Sequence, residues 1–389
     1  MKISDITTFE LRAPTANAFY SSQGLFTGRK SLLVRVETDN GLVGWGEGGQ
    51  YGPAQPVRAC IDEVLSPVLL GTELTSPQLL WEASYARLRD FGMRGPTMEA
   101  MSALDIAFWD IVGKHFSVPV SQLIGGRHRE SVRAYGTGFY YPQDGALQVD
   151  AGRLREECDQ KADTGFTAVK AKIGLLPVRD DIERLRIIRE HLGPEVDLMV
   201  DSNHAYNLAT ARRVAAQLGE LGVLWFEEPV VPEDKESYRR LRDTSPVAIA
   251  GGECEYNRFG FHELISGGCV DIAQPDLTVA GGISEWMRIH TLASVAGVSV
   301  IPHVWGSGIS LAAPVHVIAA TPLNPYTASP VPIQNEPVLE FDTSDNPLRS
   351  EVITAPFTLA DGRVGVPDGP GLGVTVDEEA VRRYATRDS

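Results

Sequence analysis

The sequence predicts an α/β protein, a closed (β/α)₈ barrel behind an N-terminal α+β unit. Eight short β-branched or apolar runs fall within residues 131–345, at 132–137, 167–173, 196–200, 223–226, 247–250, 270–273, 298–301 and 338–341. Charged, helix-sized intervals separate seven of them, the texture of successive strand–helix units in a parallel, TIM-like barrel. The doubly wound alternative calls for a glycine-rich turn after an early strand, and neither GxGxxG nor GxxxxGK[ST] occurs in the chain.

The chain opens with MKISDITTFELRA, whose alternation of apolar and polar residues reads as a strand. It lacks the apolar run and small-residue cleavage site of a signal peptide. Two further strands, at 31–38 and 42–46, flank Asp39-Asn40-Gly41, a hairpin turn signal. Helical periodicity follows through 98–115. We therefore divide the chain into an α+β capping domain over 1–130, the barrel over 131–345 and a C-terminal segment over 346–389. Two stretches read as loops able to act as a lid: 16–28, with Phe19, Tyr20 and Phe26, and 46–56, with four glycines and two prolines.

Composition narrows the class. The 389 residues are 43% hydrophobic and 22% charged, ordinary values for a soluble globular protein. No run approaches the roughly 18 apolar residues of a membrane span. A net charge of −16 argues against nucleic acid and anionic membrane as partners, but not against a small anionic substrate, because a metal and a few lysines can make one pocket positive. Four scattered cysteines without a CxxC pair fit a reducing cytoplasm rather than a disulfide framework.

The strand ends carry the chemistry. The second strand ends in Lys170-Ala171-Lys172, the third in Asp201, the fourth in Glu227-Glu228-Pro229 and the fifth in Gly251-Gly252-Glu253. The sixth ends in Gln274-Pro275-Asp276 and the seventh in Pro302-His303, while the eighth contains Glu340. From Lys172 the steps to Asp201, Glu227, Glu253, Asp276 and His303 are 29, 26, 26, 23 and 27 residues, about one strand–helix unit each. One acidic residue after a strand is most often a helix cap, and a lone histidine is most often structural. Six such residues at one interval are expected to converge at the C-terminal rim, where barrel active sites form.

Residue types then suggest the reaction. Asp201, Glu227 and Glu253 on adjacent strands cannot all stay ionised without a cation between them. All-oxygen ligation suits Mg²⁺, one per chain and with Mn²⁺ tolerated, whereas zinc would call for histidine or cysteine. Lys172 stands on one flank as a base. His303 stands on the other, with Asp276 placed to fix its tautomer. Such a site can take the proton next to a carboxylate and neutralise the charge that develops.

The motifs ALDIAFWDIVGKH (103–115), AVKAKIG (168–174), DSN (201–203), WFEEP (225–229), AGGE (250–253), QPD (274–276), PHVWG (302–306) and PDGPGLG (367–373), in this order, resemble the mandelate racemase subgroup of the enolase superfamily. The resemblance implies Asp201, Glu227 and Glu253 as metal ligands, with Lys172 and the His303–Asp276 pair as bases on opposite faces. It also implies Lys170 beside the substrate carboxylate, lowering the Lys172 pKa, and Glu340 meeting that carboxylate or donating a proton. Asn203 would bond near an α-hydroxyl, and His204, Trp305, Tyr20 and Tyr51 become candidate substrate contacts. The C-terminal segment would complete the capping domain, and the protein would be a homo-oligomer. DSNHAY, WFEEPVVPE, PHVWGSG and EFDTSDNPLR are similar to the stretches of galactarolactone cycloisomerases within the subgroup. This implies opening of a hexaric acid 1,4-lactone to a 3-deoxy-2-keto hexarate. Acid-sugar dehydration, opening of a 3,6-anhydrogalactonate, and racemisation or epimerisation use the same residues. A non-catalytic sugar-acid binding barrel would lack one member of the constellation, and all six are present.

Overall fold

The alternation that opens the chain runs on far past residue 13. In the computed structural model, which describes all residues except 50, 144–147, 323–327, 329–335 and 387–389, it forms β1 (Ile3–Ser21). β1 pairs antiparallel with β2 (Gly24–Thr38), and β2 with β3 (Val43–Gly48). The turn at Asp39-Asn40-Gly41 closes the second hairpin as expected, Gly41 N donating to the Thr38 carbonyl at 2.8 Å. The stretch 16–28 is not a loop. It is the tip of the first hairpin, held by a stacked Phe19–Phe26 pair with ring centroids 5.4 Å apart, because two β-forming aromatics directly across a ladder gain more by pairing than by hydration. Of the second expected lid, 46–48 belong to β3, a short helix begins at Gln55, and Gln50 lies outside the described residues.

Helix Pro96–Phe116 crosses β3 at backbone contact. Gly44, Gly46 and Gly48, one face of the strand, meet the carbonyls of Ala107, Ala103 and Glu99, one face of the helix. A Cβ at Gly46 would collide with the Ala103 carbonyl. The same helix ties other parts of the chain together. Asp105 accepts from Ser284 N at 2.8 Å and Ser284 Oγ at 2.6 Å, in the barrel. Asp110 accepts from Trp45 N at 3.0 Å and from Leu372 N at 2.8 Å, in the C-terminal PDGPGLG. Glu47, buried at the end of β3, accepts from Ser31 Oγ, Ser307 N and Ser310 N at 2.8, 2.9 and 3.0 Å, which joins the N-terminal sheet to the seventh barrel loop.

All eight expected barrel strands are present: β4 (Ser131–Gly138), β6 (Ala168–Lys172), β7 (Asp197–Asp201), β8 (Val223–Glu227), β9 (Ala248–Gly251), β10 (Ile272–Ala273), β11 (Ser299–Val300) and β12 (Val338–Asp342). Parallel ladders run from β4 through β6 to β11 in order, and β12 returns to pair with β4. β11 and β12 share no ladder among the described residues; there Val304 N donates to Glu340 Oε2 at 3.2 Å. β5 (Tyr141–Pro142), in the loop after β4, pairs with the β1 tip and brings that hairpin to the C-terminal rim. Seven full helices follow the first seven strands, but only Pro347–Glu351 follows β12.

Inside the barrel each strand position contributes one residue to a packed plug: Tyr135, Ala168, Met199, Trp225, Ala250, Ile272, Ile301 and Val338. Two residues further along most of these strands, on the same inward face, stand Thr137, Lys170, Asp201, Glu227, Gln274, His303 and Glu340. The period of two thus lays a polar layer directly on an apolar floor.

The final segment serves both parts. β13 (Leu359–Ala360) and β14 (Arg363–Gly365) form a hairpin whose β14 pairs with β4 at the barrel bottom. Residues beyond it reach the N-terminal sheet, where Thr386 N donates to the Glu10 carbonyl at 2.8 Å. Among the described residues no helix is long and apolar enough to cross a membrane.

Two stability predictions arise from this packing. Gly46→Ala should destabilise the chain by about 2–3 kcal/mol, since the clash is with backbone that cannot rotate away; denaturant unfolding measures it. His316 is buried, its Nε2 bonded to the Leu372 carbonyl at 2.9 Å, and burial lowers its pKa from 6.5 to about 4. The unfolded chain therefore takes up a proton first as pH falls. The contribution of neutral His316 is whole above about pH 6.5 and declines toward pH 4, by about 3 kcal/mol in total. His316→Gln should flatten that part of the stability–pH curve.

Candidate active site

The strand register assembles the centre of the site. Lys172 lies beside Asp201 in the β6–β7 ladder, and Asp201 beside Glu227 in the β7–β8 ladder. Glu253 follows directly after β9. Oxygens of Asp201, Glu227 and Glu253 all lie within 4.8 Å of one another, and all three residues are buried. Glu227 Oε1 receives Lys170 Nζ at 2.7 Å, and its Oε2 accepts from Gln274 Nε2 at 2.7 Å and Trp225 Nε1 at 3.2 Å. Asp201 Oδ1 accepts from Asn203 N at 2.8 Å. Glu253 Oε2 accepts no hydrogen bond among the described residues although it is buried.

The expected bases flank this trio. Lys172 Nζ contacts Asp201 Oδ2 and donates to Asn203 Oδ1 at 3.0 Å. On the other side His303 Nδ1 meets Asp276 Oδ2 at 2.7 Å, which leaves Nε2 facing Glu253 Oε2 at 3.3 Å. The pairing follows from an isolated parallel bridge that aligns Asp276 with His303 just past the two strands. Tyr51 Oη, from the segment after β3, also reaches His303 Nδ1, at 3.0 Å. Glu340 receives Lys170 Nζ at 2.8 Å and Thr137 Oγ1 at 2.6 Å.

Charge is unbalanced here. Among the described residues, six buried carboxyl groups (Asp201, Glu227, Glu228, Glu253, Asp276 and Glu340) face two lysines, Lys170 and Lys172, and two imidazoles, His303 and His204. Although burial opposes it, Lys172 and Lys170 hold Asp201 down to about 2. Burial pushes Glu227 up to about 7. Burial would lower His303, but Glu253 and the bond to Asp276 carry it up to about 10. Burial and Lys170 both press the Lys172 pKa down, Lys170 in the direction expected from the sequence. Asp201, in contact with the amine, outweighs them, and the net shift is upward. An excess of desolvated carboxylates, one of them with an oxygen that makes no hydrogen bond and faces only an imidazole at 3.3 Å, is the environment a hard divalent cation relieves, so the donor set fits Mg²⁺.

The remaining candidates divide. Asn203 and His204 adopt left-handed backbone, with φ of 40° and 66°, and Glu228 does too, with φ of 45°. Asn203 bridges Lys172 to Glu228, while His204 Nε2 lies 3.2 Å from Glu228 Oε2. Trp305 joins Phe19, Phe26 and Tyr140 in an aromatic cluster under the hairpin, with the Arg29 guanidinium 4.2 Å from its ring centroid. Tyr20 is not brought to these residues: strand alternation places Phe19 and Ser21 on the inner face and Tyr20 on the other. Sequence reasoning missed Glu228, Gln274, Thr137 and Arg29. Gln274 and Thr137 were findable, since each stands two residues past a plug residue, but Glu228 turns toward the site only through its left-handed backbone.

Comparison with known proteins agrees with this geometry. Residues 5–125 match the model of the mandelate racemase / muconate lactonizing enzyme N-terminal domain, and residues 153–380 match that of the enolase C-terminal domain-like family. The chain is 40% identical to a D-galactarolactone cycloisomerase of Agrobacterium fabrum, covering 100% of both chains. It is 37% identical to an arabinonate dehydratase of Saccharolobus solfataricus, over 91% of this chain and 90% of that one. A racemase from Streptomyces coelicolor A3(2), solved with bound magnesium, superposes with a TM-score of 0.87 at 27% identity, covering 99% of this chain and 100% of the other. With both halves of the family pattern matched and full-length relatives at this identity, the chain belongs to the mandelate racemase / muconate lactonizing enzyme family of the enolase superfamily.

Proposed function

We propose that the protein opens the 1,4-lactone of a hexaric acid to a 3-deoxy-2-keto hexarate by removing the proton α to the free carboxylate. The observation that carries this reading is a buried carboxylate trio with one base on each flank, Lys172 held against Asp201 and His303 held by Asp276. The 40% identity to a D-galactarolactone cycloisomerase supports the choice of substrate. In this reading Asp201, Glu227 and Glu253 hold Mg²⁺, or Mn²⁺ in its place. The bound ion supplies positive charge where the substrate carboxylate gains electron density.

Neutral Lys172 Nζ takes the α proton; the Lys170 ammonium close by favours that form, and a cation held by Asp201 would offset the carboxylate that raises the Lys172 pKa. Lys170 and Glu340, locked together at 2.8 Å, fix the position of the substrate carboxylate. The C–O bond at the β carbon breaks, and the ring oxygen leaves as a carboxylate, which needs no proton. The resulting enol becomes the 2-keto acid when a proton reaches the former β carbon. His303 Nε2 is placed for that delivery, because Asp276 occupies Nδ1. No water enters or leaves, so the reaction is an isomerisation. Asn203 orients Lys172, while Trp305, Tyr51 and His204 border the substrate. The N-terminal unit over 1–130 caps the barrel mouth, and the protein works as a cytoplasmic homo-oligomer.

The second reading is acid-sugar dehydration, favoured by 37% identity to an arabinonate dehydratase. It requires protonation of a departing hydroxide, which a protonated His303 would supply. Incubation with Mg²⁺ in deuterated water separates the two. NMR should show a 2-keto-3-deoxy acid formed from hexaric 1,4-lactones and not from open acid sugars; product from open acids alone would replace the first reading by the second. Lys172→Ala should lower turnover on the order of 10³-fold with the circular dichroism spectrum and Mg²⁺ affinity nearly unchanged. Near-normal turnover in that variant would remove Lys172 from its role.

A further inference from the structure

Beside the carboxylate trio lies a second group of donors of different chemistry. His204, Glu228 and Cys254 each offer one atom, and the three atoms lie within 4.8 Å of one another. His204 Nε2 is 3.2 Å from Glu228 Oε2 and 3.8 Å from Cys254 Sγ. We propose that these three side chains form a second cation site, selective for a borderline-soft divalent ion of the zinc class, next to the all-oxygen site and distinct from it.

The distances support an ion better than a simple pair. A tetrahedral zinc ion, with bonds of about 2.3 Å to sulfur and about 2.0–2.1 Å to nitrogen and oxygen, sets neighbouring donors roughly 3.3–3.6 Å apart. The two observed edges bracket that range. A charge-assisted imidazole–carboxylate bond would close to about 2.7–2.9 Å, as His303 and Asp276 do at 2.7 Å. The backbone is also bent to bring the donors together. His204 and Glu228 both hold positive φ, a conformation costly for these residues and one that clusters at functional sites. Without a cation, Glu228 Oε2 at 3.2 Å favours the imidazole proton on Nε2; His204 Nδ1, which has no partner among the described residues, can take that proton when a cation claims the Nε2 lone pair.

Donor softness keeps the two sites apart. Three carboxylates suit a hard cation, and a thiolate with an imidazole suits a softer one. The nearby carboxylates Asp201, Glu227 and Glu253 belong to the first site, and the field they share draws a dication to either. Cys254 and Glu228 have no part in the proton transfer assigned to Lys172 and His303; His204, which borders the substrate in the proposed function, is the one group the two readings share.

Cobalt(II) serves as the visible probe for a zinc-class ion. It should be added to the full chain already saturated with Mg²⁺. The proposal expects a thiolate-to-cobalt charge-transfer band in the near ultraviolet, abolished by one equivalent of Zn²⁺ per chain. Cys254→Ser should lose the band and weaken zinc retention at least tenfold, with Mg²⁺ binding at the first site unaltered. His204→Asn, which tolerates the left-handed backbone, should keep its circular dichroism spectrum and weaken zinc retention likewise. Cobalt binding without a charge-transfer band would overturn the proposal. So would an equal band in Cys254→Ser, which would assign the thiolate to Cys60, Cys158 or Cys269, or zinc retention unaffected by His204→Asn.

Discussion

The site depends on the register of parallel strands. Lys172, Asp201 and Glu227 are neighbours because the ladders of β6, β7 and β8 set them side by side, not because of any local sequence contact. A slip of one residue in any ladder would turn a charged group out of the barrel and an aliphatic residue in. The plug of Tyr135, Ala168, Met199, Trp225, Ala250, Ile272, Ile301 and Val338 opposes such a slip, since it too is built from inward positions. Packing of the floor and placement of the chemistry are therefore one constraint. The same ladder that buries Met199 and Trp225 presents Asp201 and Glu227 two residues later.

The N-terminal sheet does more than cover this rim. Its Glu47 accepts from Ser307 N and Ser310 N of the loop that follows His303, so the position of the seventh strand end depends on the cap. Arg29, on β2, pairs with Asp342 at the end of β12 at 2.8 Å and lies over Trp305. Tyr51 reaches His303 from the same side. The glycine face of β3 matters for these contacts: direct seating of helix Pro96–Phe116 fixes the height of the sheet, and through Asp105 and Asp110 the helix holds the barrel and the C-terminal segment to it.

Burying this many like charges is costly, and the structure shows how the cost is divided. Lys170 neutralises Glu227 and Glu340, while Lys172 neutralises Asp201. Among the described residues Glu253 and Glu228 have no lysine partner, and burial together with neighbouring carboxylates raises Glu228 well above the usual carboxylate range. Such a cluster holds its shape through the strands beneath it, and is strongly biased toward cations and anionic ligands that bring them.

Much of this was legible in the sequence. All eight barrel strands were marked by β-branched runs, and the charged strand ends were marked by their spacing, because each strand–helix unit consumes a similar length of chain. Composition and periodicity therefore determined the architecture, the carboxylate trio and the two flanking groups. Tertiary structure alone decided the rest. Residues 16–28 became a hairpin because the β5 strand and a stacked aromatic pair supplied partners that no local signal announces. Glu228 joined the site because a left-handed residue reversed the alternation that would have sent it outward. The Lys172 pKa rose rather than fell, because the sign of an electrostatic shift depends on which charge is in contact, and contact is a property of the folded chain.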